Sequence, residues 1–294
     1  MEHKTKRADL LLLLVAASWG ISLPLTKLVL GDIGIFTLLF FRFSIGSVIT
    51  ASVFFKHLKK AKLRTIIISF SLALLMSMVN VLETWGLRFT TSTNAAFLSG
   101  LSLIIVPVIS FFLYKTRPRK KYWLGLVLSL TGFYFLTAGA GGITALNSGD
   151  TAILISAVIY AIYIVLINHL ISHGESVSAG IFVLIFSAVI YFILMFFPEP
   201  VPIRASGRLT AVVLITSLVC TAFAYSGHIF AQTRTTALRA SLIMMTEPIF
   251  TTLFSLIIPD ATGATESLTF FKITGILLMT LGMLTAEFGH LSKN

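Results

Sequence analysis

The 294-residue chain is 56% hydrophobic and only 11% charged, where a soluble domain carries about 25% charged residues, so most of it must lie in lipid. A backbone in lipid has to satisfy its own hydrogen bonds, which leaves helices or a closed barrel; the apolar runs are roughly 20 residues long and do not alternate, which excludes the barrel. The net charge of +11 is not the footprint of a nucleic-acid binder, because the bases fall in short clusters between apolar runs rather than on one face.

In chain order, ten spans are predicted at roughly 8–30, 33–55, 65–88, 91–114, 121–139, 149–171, 177–197, 208–231, 238–258 and 268–290. The first begins as a signal peptide would, with Lys4, Lys6 and Arg7 ahead of the apolar run Leu10 to Ala17. That run stays largely apolar to Leu30 and no polar mature domain follows, so it reads as an uncleaved span. Lys56, Lys59, Lys60, Lys62 and Arg64 follow the second span, and Lys115, Arg117, Arg119, Lys120 and Lys121 follow the fourth. The alternate segments hold only Arg88, Arg204, Arg208 and Lys272. This asymmetry predicts that both termini are cytoplasmic, and the expected location is a bacterial inner membrane. The longest linkers, 198–207 and 259–267, are short loops. Cys220, the single cysteine, lies within the eighth span and has no partner for an intramolecular disulfide.

The chain repeats itself. Displaced by 141 residues, Ala96 meets Ala237, Leu101 meets Leu242 and Pro107 meets Pro248; the same displacement takes Asp9 to Asp150, Trp19 to Tyr160, Asn80 to Thr221 and Gly86 to Gly227. The second copy then inserts nine residues, after which Gly125 meets Gly275 and Gly132 meets Gly282. Two units result, 8–139 and 149–290. Five spans in each is an odd number, so the second unit enters the membrane from the opposite side. Inverted repeats of this kind are used by many secondary transporters, with the substrate site near the midplane.

The run Asn94-Ala-Ala-Phe-Leu-Ser-Gly-Leu, Val106-Pro-Val108, a basic loop and Trp123-Leu-Gly-Leu-Val-Leu-Ser-Leu-Thr-Gly132 resembles the EamA-like family of the drug/metabolite transporter superfamily. Ser18-Trp19-Gly20 with Pro24, Leu39-Phe-Phe-Arg42 and Glu247-Pro248 fit the same family. The resemblance implies an all-α integral membrane protein of ten transmembrane helices in two inverted five-helix repeats, carrying small metabolites, usually outward. Where many members place a Gly-Glu pair after the fourth and ninth helices, this sequence reads Tyr114-Lys115 and Pro259-Asp260.

Polar residues inside spans are functional candidates, because hydrocarbon disfavours them. In the eighth span Thr221, Tyr225, His228 and Gln232 fall on one helical stripe. Asn80 and Thr84 are their repeat equivalents in the third, with Glu83 alongside. Trp19, Ser22 and Thr26 form a stripe in the first span, matched by Tyr160 and Tyr163 in the sixth, one turn on from Ser156. Ala240, Met244, Glu247 and Thr251 share a face of the ninth. These faces predict a shared central cavity whose wall is a substrate site. Ser22, Thr26 and Thr221 are equally open to a second reading, bonding their own backbone or gluing helices. Arg42 and Glu83 stand at similar depths and are expected to pair, either as a structural ion pair or as a gate. Pro24, Pro107 and Pro248 break the helices that bear them and free the carbonyls of Gly20, Leu103 and Met244. Glu247, beside one such break, could carry a proton or pair with an amino group.

These features predict a secondary transporter, expected to export a small amphipathic metabolite such as an amino acid or a related amine or carboxylate, with protons as a candidate coupling ion. A nucleotide-sugar or phosphate translocator needs several fixed cations, and within spans only Lys27 and Arg42 are available. An intramembrane enzyme is a further alternative, but Gly100-Leu-Ser102 has no convincing histidine partner. His169 and His173 lack a third strong ligand, so no metal is expected. No phosphate loop is present, so neither ATP nor another cofactor is expected. Oligomeric state is left open.

Overall fold

A computed structural model describes residues 2–59, 61–115, 120–138, 147–171, 173–199, 201–232, 243–244 and 246–291, and among these the regular structure is helical throughout. Helix α1 (Glu2–Gly20) runs on into α2 (Ser22–Val29), with Ile21 N–H bonded to Ala17 O and Leu25 N–H to Ile21 O across the join. There follow α3 (Ile35–Val53), the single turn α4 (Phe55–Leu58), α5 (Leu63–Gly86), α6 (Ser92–Tyr114), α7 (Lys120–Ala138), α8 (Ser148–Leu170) and α9 (Ser176–Leu194). Helix α10 (Gly207–Ser217) passes through a π-helical turn, Leu218–Phe223, into α11 (Ala224–Gln232); α12 (Glu247–Ser255) and α13 (Phe270–Leu291) complete the order.

Among the described residues, seven helical stretches are long and apolar enough to cross a membrane: Arg7–Val29, Ile35–Val53, Leu63–Gly86, Ser92–Leu113, Ser148–Ile167, Ser176–Leu194 and Gly207–His228. Phe270–Thr285 is a shorter apolar helix. All lie on expected spans. Of the expected ninth span, Ala240 falls outside the described residues.

Local chemistry sets the helix ends. Thr91 accepts from Asn94 N–H at the start of α6, Asn147 from Asp150 N–H at α8 and Ser206 from Leu209 N–H at α10, satisfying donors that a helix leaves free. Lys115 turns left-handed (φ 59°) and returns its N–H to Phe111 O, which stops α6.

The burial pattern is that of a protein dissolved in lipid. Leu63, Phe112 and Phe270 are each more than two-thirds exposed, whereas Ser69, Ser187, Ser217, Thr221 and Thr251 are fully enclosed. Many of the enclosed hydroxyls bond their own helix, as Ser69 does to Thr65 O and Ser217 to Val213 O. The two parts of the chain interleave: α5 and α6 lie against α8, α3 and α5 against α9, and α1 against α11 and α12. Helix α7 packs chiefly on α13.

Candidate functional site

Most of the expected site residues converge where α1 meets the interrupted eighth span. The π turn is the pivot. Such a turn carries one residue more than an α turn and shifts its hydrogen bonds, and here other helices use what it presents. Trp19 of α1 donates its indole N–H to Cys220 O at 3.0 Å. Arg42 of α3 donates Nε–H to Thr221 Oγ1 at 3.0 Å, and Thr221 donates in turn to Thr216 O. Helix α3 comes this close because residue 46 is glycine: a Cβ there would stand 2.5 Å from Thr221 Cγ2.

Around this pivot the aromatic side chains gather. The Trp19 ring meets Tyr225 edge-on at 5.6 Å and His228 at 5.2 Å. Tyr160 and Tyr163 of α8 stack nearly parallel at 5.8 Å, and both pack with Tyr225 against the cluster of Leu72, Ala73 and Met76. Arg42, Glu83 and Glu247 all lie within electrostatic reach of Tyr225. Trp19, Tyr160, Tyr163, Tyr225, Glu83 and Glu247 are half-buried. Asn80 and Thr84 are buried beside them on α5, and Asn80 donates to Met76 O at 2.8 Å. Ser22 is buried against Cys220.

Arg42 and Glu83, expected as a pair, do not form a direct ion pair: Arg42 holds Thr221, and Glu83 accepts from Ser99 Oγ. Met244 packs apart from the group, with Ala8, Leu12 and Ala231 toward the end of the bundle bearing Glu2. Gln232 ends α11, and its side chain lies outside the described residues. Glu247 opens α12, with Pro248 next to it; its carbonyl accepts from Thr251 Oγ1 at 3.2 Å and lies against Gly20, whose Cβ would stand 2.6 Å from that of Phe250. The end of α1 at Gly20 thus lies against the first turn of α12. Pro107 lies within a continuous α6.

Sequence reasoning missed two groups. Ser99 sits at the repeat equivalent of Ala240, so carrying the face of the ninth span back by 141 residues would have found it. Tyr191 of α9, fully buried with its ring 5.1 Å from Phe43, gave no such signal, because the seventh span has no polar stripe.

The end of the bundle opposite Glu2 is tied by its loops. Glu199 accepts from Phe36 N–H at 2.8 Å, Thr37 N–H at 3.2 Å and Thr37 Oγ1 at 2.9 Å, capping α3. Arg208 pairs with Asp32 at 2.7 Å. Burial lowers the pKa of the Arg88 guanidinium from its ordinary range, an effect that Glu199 opposes. At the Glu2 end, Lys62 pairs with Glu175 at 3.0 Å, and Ser178 donates to His57 O at 2.9 Å.

Among the described residues, helices with apolar flanks and enclosed hydroxyls are those of an integral membrane protein. The profile of the EamA-like transporter family matches residues 6–138 and again 147–286. The chain belongs to that family, which sets it among membrane transporters. An uncharacterized transporter of Archaeoglobus fulgidus is 32% identical over 162 residues, 55% of this chain and 49% of its own, so the match spans about half the length of that relative. A second uncharacterized transporter of the same organism is 26% identical over 85% of this chain and 88% of its own. The uncharacterized transporter YyaM of Bacillus subtilis is 25% identical over 80% and 78%. A crystal structure of a protein 20% identical shares the fold with a TM-score of 0.67 over 96% of each chain.

Proposed function

We propose that the protein exports a small amphipathic metabolite, an amino acid or a related amine or carboxylate, by alternating access across a bacterial inner membrane. Transport is secondary, with protons as a candidate coupling ion, and both termini lie in the cytoplasm. The architecture behind it is ten spans in two inverted repeats, 8–139 and 149–290, and the twofold match of the family profile supports that division. Rocking of one repeat against the other would expose the site to each side in turn.

The observation that carries the reading is the mixed wall around the π turn. Trp19, Tyr160, Tyr163 and Tyr225 offer aromatic faces to an apolar body, while Asn80, Thr84, Glu83, Arg42 and Glu247 offer polar ends. A wall of that kind suits a solute with an apolar body and one or two polar groups. Ser22 and His228 complete the site, and Met244 and Gln232 are assigned to its approach from the Glu2 end. Comparing metabolites in medium and cells, with and without overexpression, tests the reading. Expected is a solute enriched in the medium and depleted in the cells by the wild type and not by Glu247→Gln; unchanged pools on both sides would reject it.

A further inference from the structure

A second cavity lies away from the aromatic group, at the end of the bundle opposite Glu2. Its volume is about 250 Å3, below the roughly 300–1,000 Å3 of drug-sized sites, so it suits a small solute. Lys27 of α2, Lys272 of α13 and the loop 259–267 border it. That loop is the nine-residue insertion of the second repeat, so the cavity is built by an element the duplicated fold does not need. Ser255, also on its wall, stands eight residues beyond Glu247, roughly 12 Å along the helix. The two sites are therefore distinct.

The hydrogen bonds around the cavity leave an uneven remainder. An ammonium has three N–H donors. Among the described residues Lys27 uses two of them, on Leu87 O and Thr90 O. Lys272 uses one, on Glu266 Oε2 at 3.1 Å. Glu266 is occupied at both oxygens, since Oε1 accepts from Thr93 N–H at 3.1 Å. Asp260 Oδ1 accepts from Thr262 N–H, Thr262 Oγ1 and Ala264 N–H, while no described donor reaches Oδ2. What is left free is a set of lysine donors and one carboxylate oxygen. The lysines are close enough to repel each other, and both Glu266 and Asp260 act on Lys27. Two cations face two carboxylates, so an overall neutral guest carries the smallest electrostatic penalty.

We propose that this cavity is a second binding site, for a small zwitterion of the amino-acid type, with its carboxylate on Lys27 and Lys272 and its ammonium on Asp260. Glu266 is the positioning residue: it bridges the start of α6 and Lys272, which fixes the lysine against the cavity. The site is independent of which solute crosses the membrane, because Lys27, Asp260, Glu266 and Lys272 stand outside the group around Trp19 and Tyr225.

The test is equilibrium binding of isotope-labelled glycine, acetate and methylamine to the purified full chain in detergent, followed by nuclear magnetic resonance. Glycine should bind saturably and more tightly than acetate or methylamine. Lys272→Met and Lys27→Met should each weaken glycine binding by about tenfold or more, the size expected when a charge-assisted bond is lost. Lys272→Arg should retain most of the binding, and helicity by circular dichroism checks that each variant folds. Asp260→Asn should bring glycine down to the acetate level without changing acetate. Gly174→Ala, which meets nothing within 4 Å at the opposite end of the bundle, should leave all three unchanged. Equal binding of glycine and acetate, or wild-type binding by Lys272→Met and Lys27→Met, would each overturn the proposal. Phosphoethanolamine displacing glycine at more than tenfold lower concentration would assign the cavity to a lipid headgroup and overturn it as well.

Discussion

Trp19 joins two roles in one side chain. Its ring closes on Tyr225 and His228, and its N–H satisfies Cys220 O in the π turn. Trp19→Phe keeps most of the ring and leaves that carbonyl without its indole donor, a loss of about 1–3 kcal/mol when such a group is buried. The solubilised variant should unfold at a clearly lower temperature than wild type, while Trp85→Phe, at a lipid-facing position, should shift little; equal shifts would remove the indole bond from the packing. Asp260 offers a pH test outside the membrane. The Thr262 hydroxyl, then the backbone N–H groups of Thr262 and Ala264, favour its charged form and lower its pKa from the ordinary range, against an opposing effect of burial. A carboxylate lowered in this way stabilises its loop fully above the ordinary aspartate value, roughly 4, and loses that contribution as pH falls through the lowered value. Asp260→Asn should therefore speed hydrogen exchange at Thr262 and Ala264 at neutral pH, relative to intrinsic rates. The difference should vanish in acid, and a pH-independent difference would contradict the assignment. The residue types that gather around the π turn were legible, because stripes at helical spacing in Trp19, Tyr225 and Asn80 recur under the repeat. Partners were not. Spacing along one helix says nothing about which neighbour a side chain reaches, so Arg42 went to Thr221 and Glu83 to Ser99 rather than to each other.

Among the elements, α7 and α13 meet through small residues. A Cβ at Gly132 would stand 2.5 Å from Met279 N, and one at Gly282 2.5 Å from Ser129 N. Backbones that approach this closely gain dispersion contacts that lipid cannot replace. Gly132→Leu should cost at least the ~1–3 kcal/mol of ordinary overpacking, seen as a lower unfolding temperature or lost expression, whereas Gly174→Ala, which meets nothing within 4 Å, should be silent. Tolerance of Gly132→Leu would mean the two helices separate easily. This contact was readable in the sequence, since Gly125, Ser129 and Gly132 share a helical face and recur as Gly275, Met279 and Gly282. The π turn was not readable. It inserts one residue into a helix without altering composition or hydropathy, and its consequence is seen only in Trp19 and Arg42 reaching across to it.

At the level of the whole molecule, lipid as solvent accounts for most of the form: apolar side chains face out, hydroxyls are enclosed, and the loops opposite Glu2 bind across to distant helices through Glu199 and Glu266. Span positions were legible because each apolar run must cover the bilayer, whereas the loop cavity was not, because the insertion 259–267 carries no hydropathy signal. Glu247 stands at the start of α12 against Gly20, within electrostatic reach of Tyr225 along with Arg42 and Glu83. Glu247→Gln keeps the shape and a hydrogen bond there but cannot ionise. The decisive measurement is flux of the proposed solute through reconstituted wild-type and Glu247→Gln protein, with and without a proton gradient. Uphill flux should fall at least tenfold, with downhill exchange surviving if Glu247 couples protons and falling too if it binds the solute. Wild-type rates in both directions would make Glu247 structural and remove the solute path from the group around Trp19 and Tyr225.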